Sequence, residues 1–122
     1  MTLSLRMVTF DTTDADSLAE WWAEQTGGEV VERNDGWYVI VAGGSLPVHL
    51  AFQKVEDPTP GKNRVHLDLV SEGLDAEVDR LIAAGASLVA RRGDETFRWV
   101  TLADPHGNVF CVAEAGPDGE HP

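Results

Sequence analysis

Residues 103–110 read ADPHGNVF, and no other part of the chain indicates its fold as strongly. Pro105 has a fixed φ, and Gly107 can adopt a positive φ. The side chains of Asp104 and Asn108 can form hydrogen bonds with nearby backbone groups. The stretch therefore predicts a tight turn that leads into a last strand, and these residue types favour a structural role over a chemical one.

Upstream of this turn, one order of elements occurs twice along the chain. Alternating or β-branched runs predict strands, and apolar residues that recur every three to four positions predict helices. The first half has predicted strands at 3–10, 29–33, 36–42 and 47–54, with a helix at 14–26 after the first of them. The second half has predicted strands at 64–70, 87–91, 97–102 and 109–114, with a helix that ends at Gly85 after the first of them. The sequence therefore predicts two βαβββ modules.

The boundary between the modules is marked by composition. Two prolines and a glycine lie within residues 56–63, which have no hydrophobic period and are predicted to be a linker. Module one is then 1–55 and module two is 64–114, within a single predicted domain that spans 1–116. The polar tail, 115–122, is predicted to be flexible. Pairing two sheets that each carry one helix would leave a concave face, where small ligands tend to bind.

Composition limits the classes of function. The nine Lys and Arg against 21 Asp and Glu give a net charge of −12, and such a chain repels nucleic acid phosphates. The charge is compatible with a cationic ligand and also favours solubility. No apolar run approaches the roughly 20 residues of a membrane span. A single cysteine, Cys111, is typical of a reducing compartment. We therefore expect a cytoplasmic protein without nucleic acid or membrane partners.

The repeat and two of its segments carry a family resemblance. With VHLDL at 65–69 about forty residues before the turn at 103–110, the chain resembles the glyoxalase/bleomycin-resistance/dioxygenase (vicinal oxygen chelate, VOC) superfamily, and within it the glyoxalase-like subgroup. The likeness covers residues 3–114. It implies an α+β fold in which two βαβββ modules form a curved, eight-stranded, open barrel-like sheet with two flanking helices. It also implies a homodimer.

The resemblance implies a metal site that this sequence mostly lacks. Metal-using members hold a divalent cation with His, Gln or Glu on the first, fourth, fifth and eighth strands. These positions fall on Met7, on either His49 or Leu50, on His66 and on Cys111. A methionine is no ligand for a hard cation. We therefore predict no metal cofactor, and a zinc site of His49, His66 and Cys111 stays open as an alternative.

Other side chains are candidates for ligand contact or catalysis. His66 and Asp68 are two residues apart in a predicted strand, so they share a face of the sheet. A histidine beside a carboxylate can do acid–base work at neutral pH, which makes this pair the catalytic candidate. Trp37 and Trp99 lie on predicted strands and can stack on a flat ligand. The predicted ligand-binding residues are His49, His66, Asp68, Trp37, Trp99 and Cys111.

Three functions compete at this level. The leading hypothesis is metal-independent binding of a small molecule, an antibiotic or a metabolite, in the concave face. The alternative is an enzyme of the lyase, isomerase or dioxygenase type that uses His66 with or without a divalent metal. A third possibility is a structural or interaction domain with no ligand. Loss of activity in His66→Ala with the fold intact would favour the enzyme.

Overall fold

The computed structural model of the chain describes residues 5–58, residue 60 and residues 66–114. Within these residues, the elements follow the order βαβββ twice, with one short 3-10 helix at Asn34–Gly36. The chain divides into two units, Met1–Thr59 and Pro60–Pro122, each with its own sheet. The α+β class and the two βαβββ modules are thus confirmed, and the eight strands are shared equally between two four-stranded sheets. The predicted tail lies outside the described residues, as do parts of the predicted linker.

Unit 1 is a mixed sheet with one helix. Its elements are β1 (Met7–Thr12), α1 (Ala15–Thr26), β2 (Glu29–Glu32), β3 (Tyr38–Ala42) and β4 (His49–Lys54). The strand order is β1-β4-β3-β2, and only the β1–β4 pair is parallel. The helix starts where the Asp14 carboxylate accepts a hydrogen bond of 3.2 Å from the Ser17 backbone N–H. An aspartate at this position is a typical helix N-cap.

The core of unit 1 is aromatic. Trp22 on α1 is 1% exposed, and its ring centroid lies 5.7 Å from that of Phe10 on β1. Phe10 in turn stacks on Phe52 of β4 at 5.0 Å. These residues alternate along their strands with residues of the opposite face, so the period of two selects which side chains meet the helix. Burial of this face fixes α1 on the sheet.

Unit 2 repeats the arrangement. Its elements are β5 (Leu67–Ser71), α2 (Leu74–Ala83), β6 (Ser87–Gly93), β7 (Arg98–Ala103) and β8 (Val109–Glu114). The strand order is β5-β8-β7-β6, again with only the first and last strands of the unit paired in parallel. The buried side chains of α2 are Leu74, Val78 and Leu81, and those of β7 and β8 include Val100, Leu102, Phe110 and Val112. They form the apolar core on the helix side of this sheet.

The turn at 104–108 has the structure that its sequence predicts. Asp104 is 3% exposed, and its carboxylate accepts hydrogen bonds from the backbone N–H groups of His106 (2.9 Å) and Asn108 (3.0 Å). The Asn108 side-chain amide donates to the same carboxylate at 2.9 Å. Gly107 has φ 90°, which favours glycine. These hydrogen bonds to the buried Asp104 carboxylate stabilise the loop that precedes β8.

Several predicted strand boundaries in the first unit are wrong, and two of the differences have a clear physical reason. The first strand runs from Met7 to Thr12 and not from 3 to 10, because Asp11 and Thr12 pair with β4 although their residue types suggested a turn. The third strand begins at Tyr38, because Asn34 and Asp35 adopt positive φ in the 3-10 turn that precedes it. Among the described residues, neither helix has the length and apolarity needed to cross a membrane.

Candidate functional site

The strand register of unit 2 decides which side chains share its second face. Asp68 of β5 lies opposite Cys111 of β8, and Cys111 lies opposite Thr101 of β7. Their neighbours along the strands, such as Phe110 and Val112, belong to the buried core on the α2 side. Because side chains alternate along a strand, Asp68, Cys111 and Thr101 form a row on the face away from α2.

Hydrogen-bond partners extend this row at both ends. His66 Nδ1, just before β5, lies 3.2 Å from Asp68 Oδ1. At the other end, Cys111 Sγ lies 3.4 Å from Thr101 Oγ1. That hydroxyl oxygen accepts a hydrogen bond of 3.0 Å from Arg92 Nε on β6, and Thr101 is only 3% exposed. The row therefore combines an imidazole, a carboxylate, a thiol, a hydroxyl and a guanidinium.

An aromatic side chain lies on the same face of the sheet. Trp99 of β7 is the register partner of Arg92 and lies two residues before Thr101, so it occupies the same face. Its ring stacks on Phe97 with centroids 5.4 Å apart. We call this surface the His66 face, and its members are His66, Asp68, Arg92, Trp99, Thr101 and Cys111. An aromatic plane next to placed polar groups is typical of sites that bind small molecules.

Unit 1 also has a face away from its helix. His49 of β4 lies opposite Met7 of β1, whereas Leu50 is buried on the helix side. This settles the register that the sequence left open, since His49 and not Leu50 shares the face of Met7. On this face Tyr38 donates its hydroxyl hydrogen to Met7 Sδ at 3.1 Å and lies 3.2 Å from Thr9 Oγ1. Met7 is therefore the acceptor of a tyrosine hydroxyl.

The structure brings four of the predicted site residues together on one face. His66, Asp68, Cys111 and Trp99 all lie on the His66 face of unit 2. Trp37 does not lie on a strand as predicted, because it ends the 3-10 turn of unit 1. It is 60% exposed, with Lys54 Nζ 5.0 Å from its ring centroid.

Sequence reasoning missed two members of the His66 face. Thr101 could have been predicted, because it is a polar residue between the apolar residues Val100 and Leu102. It lies two residues after Trp99 and therefore on the same face of the strand. Nothing in the sequence distinguishes Arg92 from Arg91, because a bulge in β6 decides which of the two lies on this face. Thr101 contacts the Cys111 sulfur, and Arg92 in turn donates a hydrogen bond to the Thr101 hydroxyl.

The donor atoms on the His66 face suit some metals and not others. His66, Asp68 and Cys111 each offer one ligand atom, and these atoms all lie within 4.8 Å of one another. A hard divalent cation prefers several oxygen ligands, and this group provides oxygen only from the Asp68 carboxylate. Nitrogen and sulfur ligands suit zinc. The residues therefore fit a borderline metal, and the prediction of no metal did not foresee that Asp68 joins this group.

Several solved structures share this fold. A crystal structure of a glyoxalase/bleomycin resistance protein/dioxygenase family enzyme from Burkholderia phytofirmans PsJN is similar with a TM-score of 0.75 at 21% identity, over 91% of this chain and 98% of that one. A mutant of the fosfomycin resistance protein FosX from Listeria monocytogenes, complexed with Mn(II) and 1S,2S-dihydroxypropylphosphonic acid, gives 0.78 at 13% identity, over 98% and 95%.

Lactoylglutathione lyase from Agrobacterium tumefaciens gives a TM-score of 0.65 at 16% identity, over 92% of this chain and 93% of that one. At such low identity these similarities show a shared fold alone. No curated protein matches the chain significantly. A family model described as "Glyoxalase-like domain", however, matches residues 7–113. Because that match spans both βαβββ units, the chain belongs to the glyoxalase-like domain family.

Proposed function

We propose that this protein binds a small molecule, an antibiotic or a metabolite, on the His66 face. The observation that carries the proposal is the row Asp68–Cys111–Thr101, which places polar groups side by side across three strands of the sheet. Small-molecule sites combine an apolar or aromatic wall with a few placed polar groups. Trp99 supplies such a wall, and the row supplies the polar groups.

The charges on the face indicate what kind of molecule fits. Arg92 can donate to a carboxylate, phosphonate or carbonyl oxygen, and the pair of His66 and Asp68 can accept from a hydroxyl or amine. The hydrogen bond from Arg92 Nε to the buried Thr101 hydroxyl holds the guanidinium stem, so less side-chain entropy is lost on binding. We therefore expect a polar ligand with one planar or apolar part.

Arg92→Ala is expected to weaken ligand binding by at least about tenfold, since a hydrogen bond to a charged group contributes roughly 1.5–3 kcal/mol. The ligand would come from a thermal-shift screen of antibiotics and metabolites, and its Kd would be measured by calorimetry. Arg91→Ala is the matched control, because Arg91 lies opposite the core residue Val100 and so on the other face of the same strand. Equal losses in the two variants would exclude the His66 face as the site.

The contact between His66 and Asp68 favours a second candidate function. The Asp68 carboxylate, 3.2 Å from Nδ1, can orient the imidazole so that Nε2 faces a substrate for acid–base work, as in an isomerase or hydratase. Mass spectrometry of each compound that binds, after incubation with the protein, tests this. Conversion that disappears in His66→Gln and Asp68→Asn while binding persists would favour an enzyme. Binding without conversion would favour the first proposal.

We also propose a homodimer. The edge strand β6 exposes Leu88 and Val89, and exposed apolar edges are what another copy of a chain can cover. Light scattering coupled to gel filtration should give twice the monomer mass of 13.2 kDa. Val89→Glu should shift the protein towards the monomer, whereas Glu95→Lys, in the β6–β7 turn, should leave the mass unchanged. A wild-type mass of one chain would contradict the proposal.

Three further expectations stay predictions. They are the single domain 1–116, the cytoplasmic location and the lack of nucleic acid and membrane partners. The net charge of −12 supports the exclusion of nucleic acid, and the single cysteine supports the location.

A further inference from the structure

We propose that His66, Asp68 and Cys111 form a zinc site that lies entirely within unit 2. Their nitrogen, oxygen and sulfur atoms lie within 4.8 Å of one another on the His66 face. This set differs from the one that the superfamily implies, because it uses a thiolate and Asp68 and needs no residue of unit 1. The proposal does not depend on the binding of a small molecule.

The distances are close to those of a zinc centre. Zinc bonds of about 2.0–2.3 Å to N, O and S in tetrahedral geometry place neighbouring ligand atoms roughly 3.5 Å apart. His66 Nδ1 and Asp68 Oδ1 are already 3.2 Å apart. Small rotations of these two side chains, which are 39% and 62% exposed, close the remaining gap to Cys111 Sγ. Cys111 lies on β8, which is hydrogen-bonded to β5 on one side and to β7 on the other. Its backbone is therefore held more firmly than the other two ligands.

The Cys111 sulfur is held by a neighbouring hydroxyl group. Thr101 Oγ1 accepts from Arg92 Nε, and the hydroxyl hydrogen can then be donated to Sγ, 3.4 Å away. A hydrogen bond to a ligating atom from a partner outside the ligand set orients that atom towards the metal. Thr101 and Arg92 therefore act as positioning residues for the metal ligand. Three protein ligands leave a fourth position for water or for a donor atom of a bound molecule.

The test uses the full chain stripped of metal and titrated with Zn²⁺ in competition with a chromophoric chelator, and separately with Co²⁺. We expect one equivalent of each metal, and for Co²⁺ an absorption band in the near ultraviolet from thiolate-to-metal charge transfer. Cys111→Ser should remove that band. Asp68→Asn, His66→Gln and Cys111→Ser should each weaken Zn²⁺ binding by about 100-fold or more, since even partners outside the ligand set contribute 10–100-fold.

Two matched controls separate this site from metal binding elsewhere on the chain. Asp79→Asn changes an exposed carboxylate on α2, and His49→Gln changes the histidine on unit 1, and both should bind Zn²⁺ as the wild type does. Because Asp68 is exposed, its variant keeps the fold, and thermal unfolding of each metal-free variant checks this. The proposal is overturned if the wild type binds less than one equivalent, if Asp68→Asn keeps wild-type affinity, or if His49→Gln loses the metal.

Discussion

Trp22→Ala is expected to lower the free energy of unfolding by about 3–5 kcal/mol, which is a large part of the 5–15 kcal/mol typical of a small protein. Trp22 is 1% exposed and is the largest of the fully buried side chains. Its ring contacts Phe10 at 5.7 Å and Trp21 at 5.0 Å, so its removal leaves a cavity between α1 and the sheet. Neighbouring rings cannot refill the space without losing their own contacts.

Urea unfolding followed by circular dichroism measures this loss. Trp37→Ala is the matched control, since it removes the same atoms from a site that is 60% exposed. Its ring has a cation–π contact with Lys54, worth about 0.5–1 kcal/mol, so the control should lose about that much. If the two variants were equally destabilised, the aromatic core of unit 1 would not have the role assigned to it.

Gly93→Ala is expected to destabilise the protein by roughly 2–5 kcal/mol, from the left-handed backbone and from overpacking together. Gly93 has φ 90°, and a Cβ placed there would overlap the Phe97 carbonyl oxygen. The tight hairpin between β6 and β7 cannot widen easily, because the Asp94 N–H donates to that same oxygen at 2.9 Å. Hydrogen bonds from Thr96, first from its hydroxyl, also hold the pKa of the Asp94 carboxyl below its usual value.

Gly107→Ala isolates the two causes. Gly107 has the same φ of 90°, but a Cβ there would meet nothing within 4 Å. Its substitution should therefore cost only the backbone term, about 1–2 kcal/mol. The excess loss in Gly93→Ala, measured by urea unfolding of both variants, is the steric term. A loss no larger than that of Gly107→Ala would show that the hairpin relaxes freely.

Most of the fold follows from local sequence patterns. The helix at Ala15–Thr26 is predicted by its N-terminal Asp14 and by the spacing of its apolar residues. The turn at 104–108 follows from its residue types. The end of the first strand did not follow, because Asp11 and Thr12 prefer turns in isolation and join the sheet only through pairing with β4. Local preference was overridden by a ladder formed with a strand distant in sequence.

The candidate site was predictable only in part. The shared face of His66 and Asp68 follows from the period of a strand. The approach of Cys111 depends on the parallel register of β5 with β8, which no local pattern specifies. The placement of Arg92 depends on the irregularity between Leu88 and Ala90, which reverses the alternation expected along β6.

The parallel pairing of β1 with β4 and of β5 with β8 bears on synthesis at the ribosome. The strand made first in each unit has to wait for the strand made last, so neither sheet can be completed by a nascent chain that is only partly exposed. The sheet of unit 1 can form as soon as residue 54 has left the exit tunnel. In unit 2, β5 can pair with β8 only after Val109–Glu114 have emerged. Premature termination before β8 would leave β5 without its partner strand in the sheet of unit 2, and Cys111 would be lost as well.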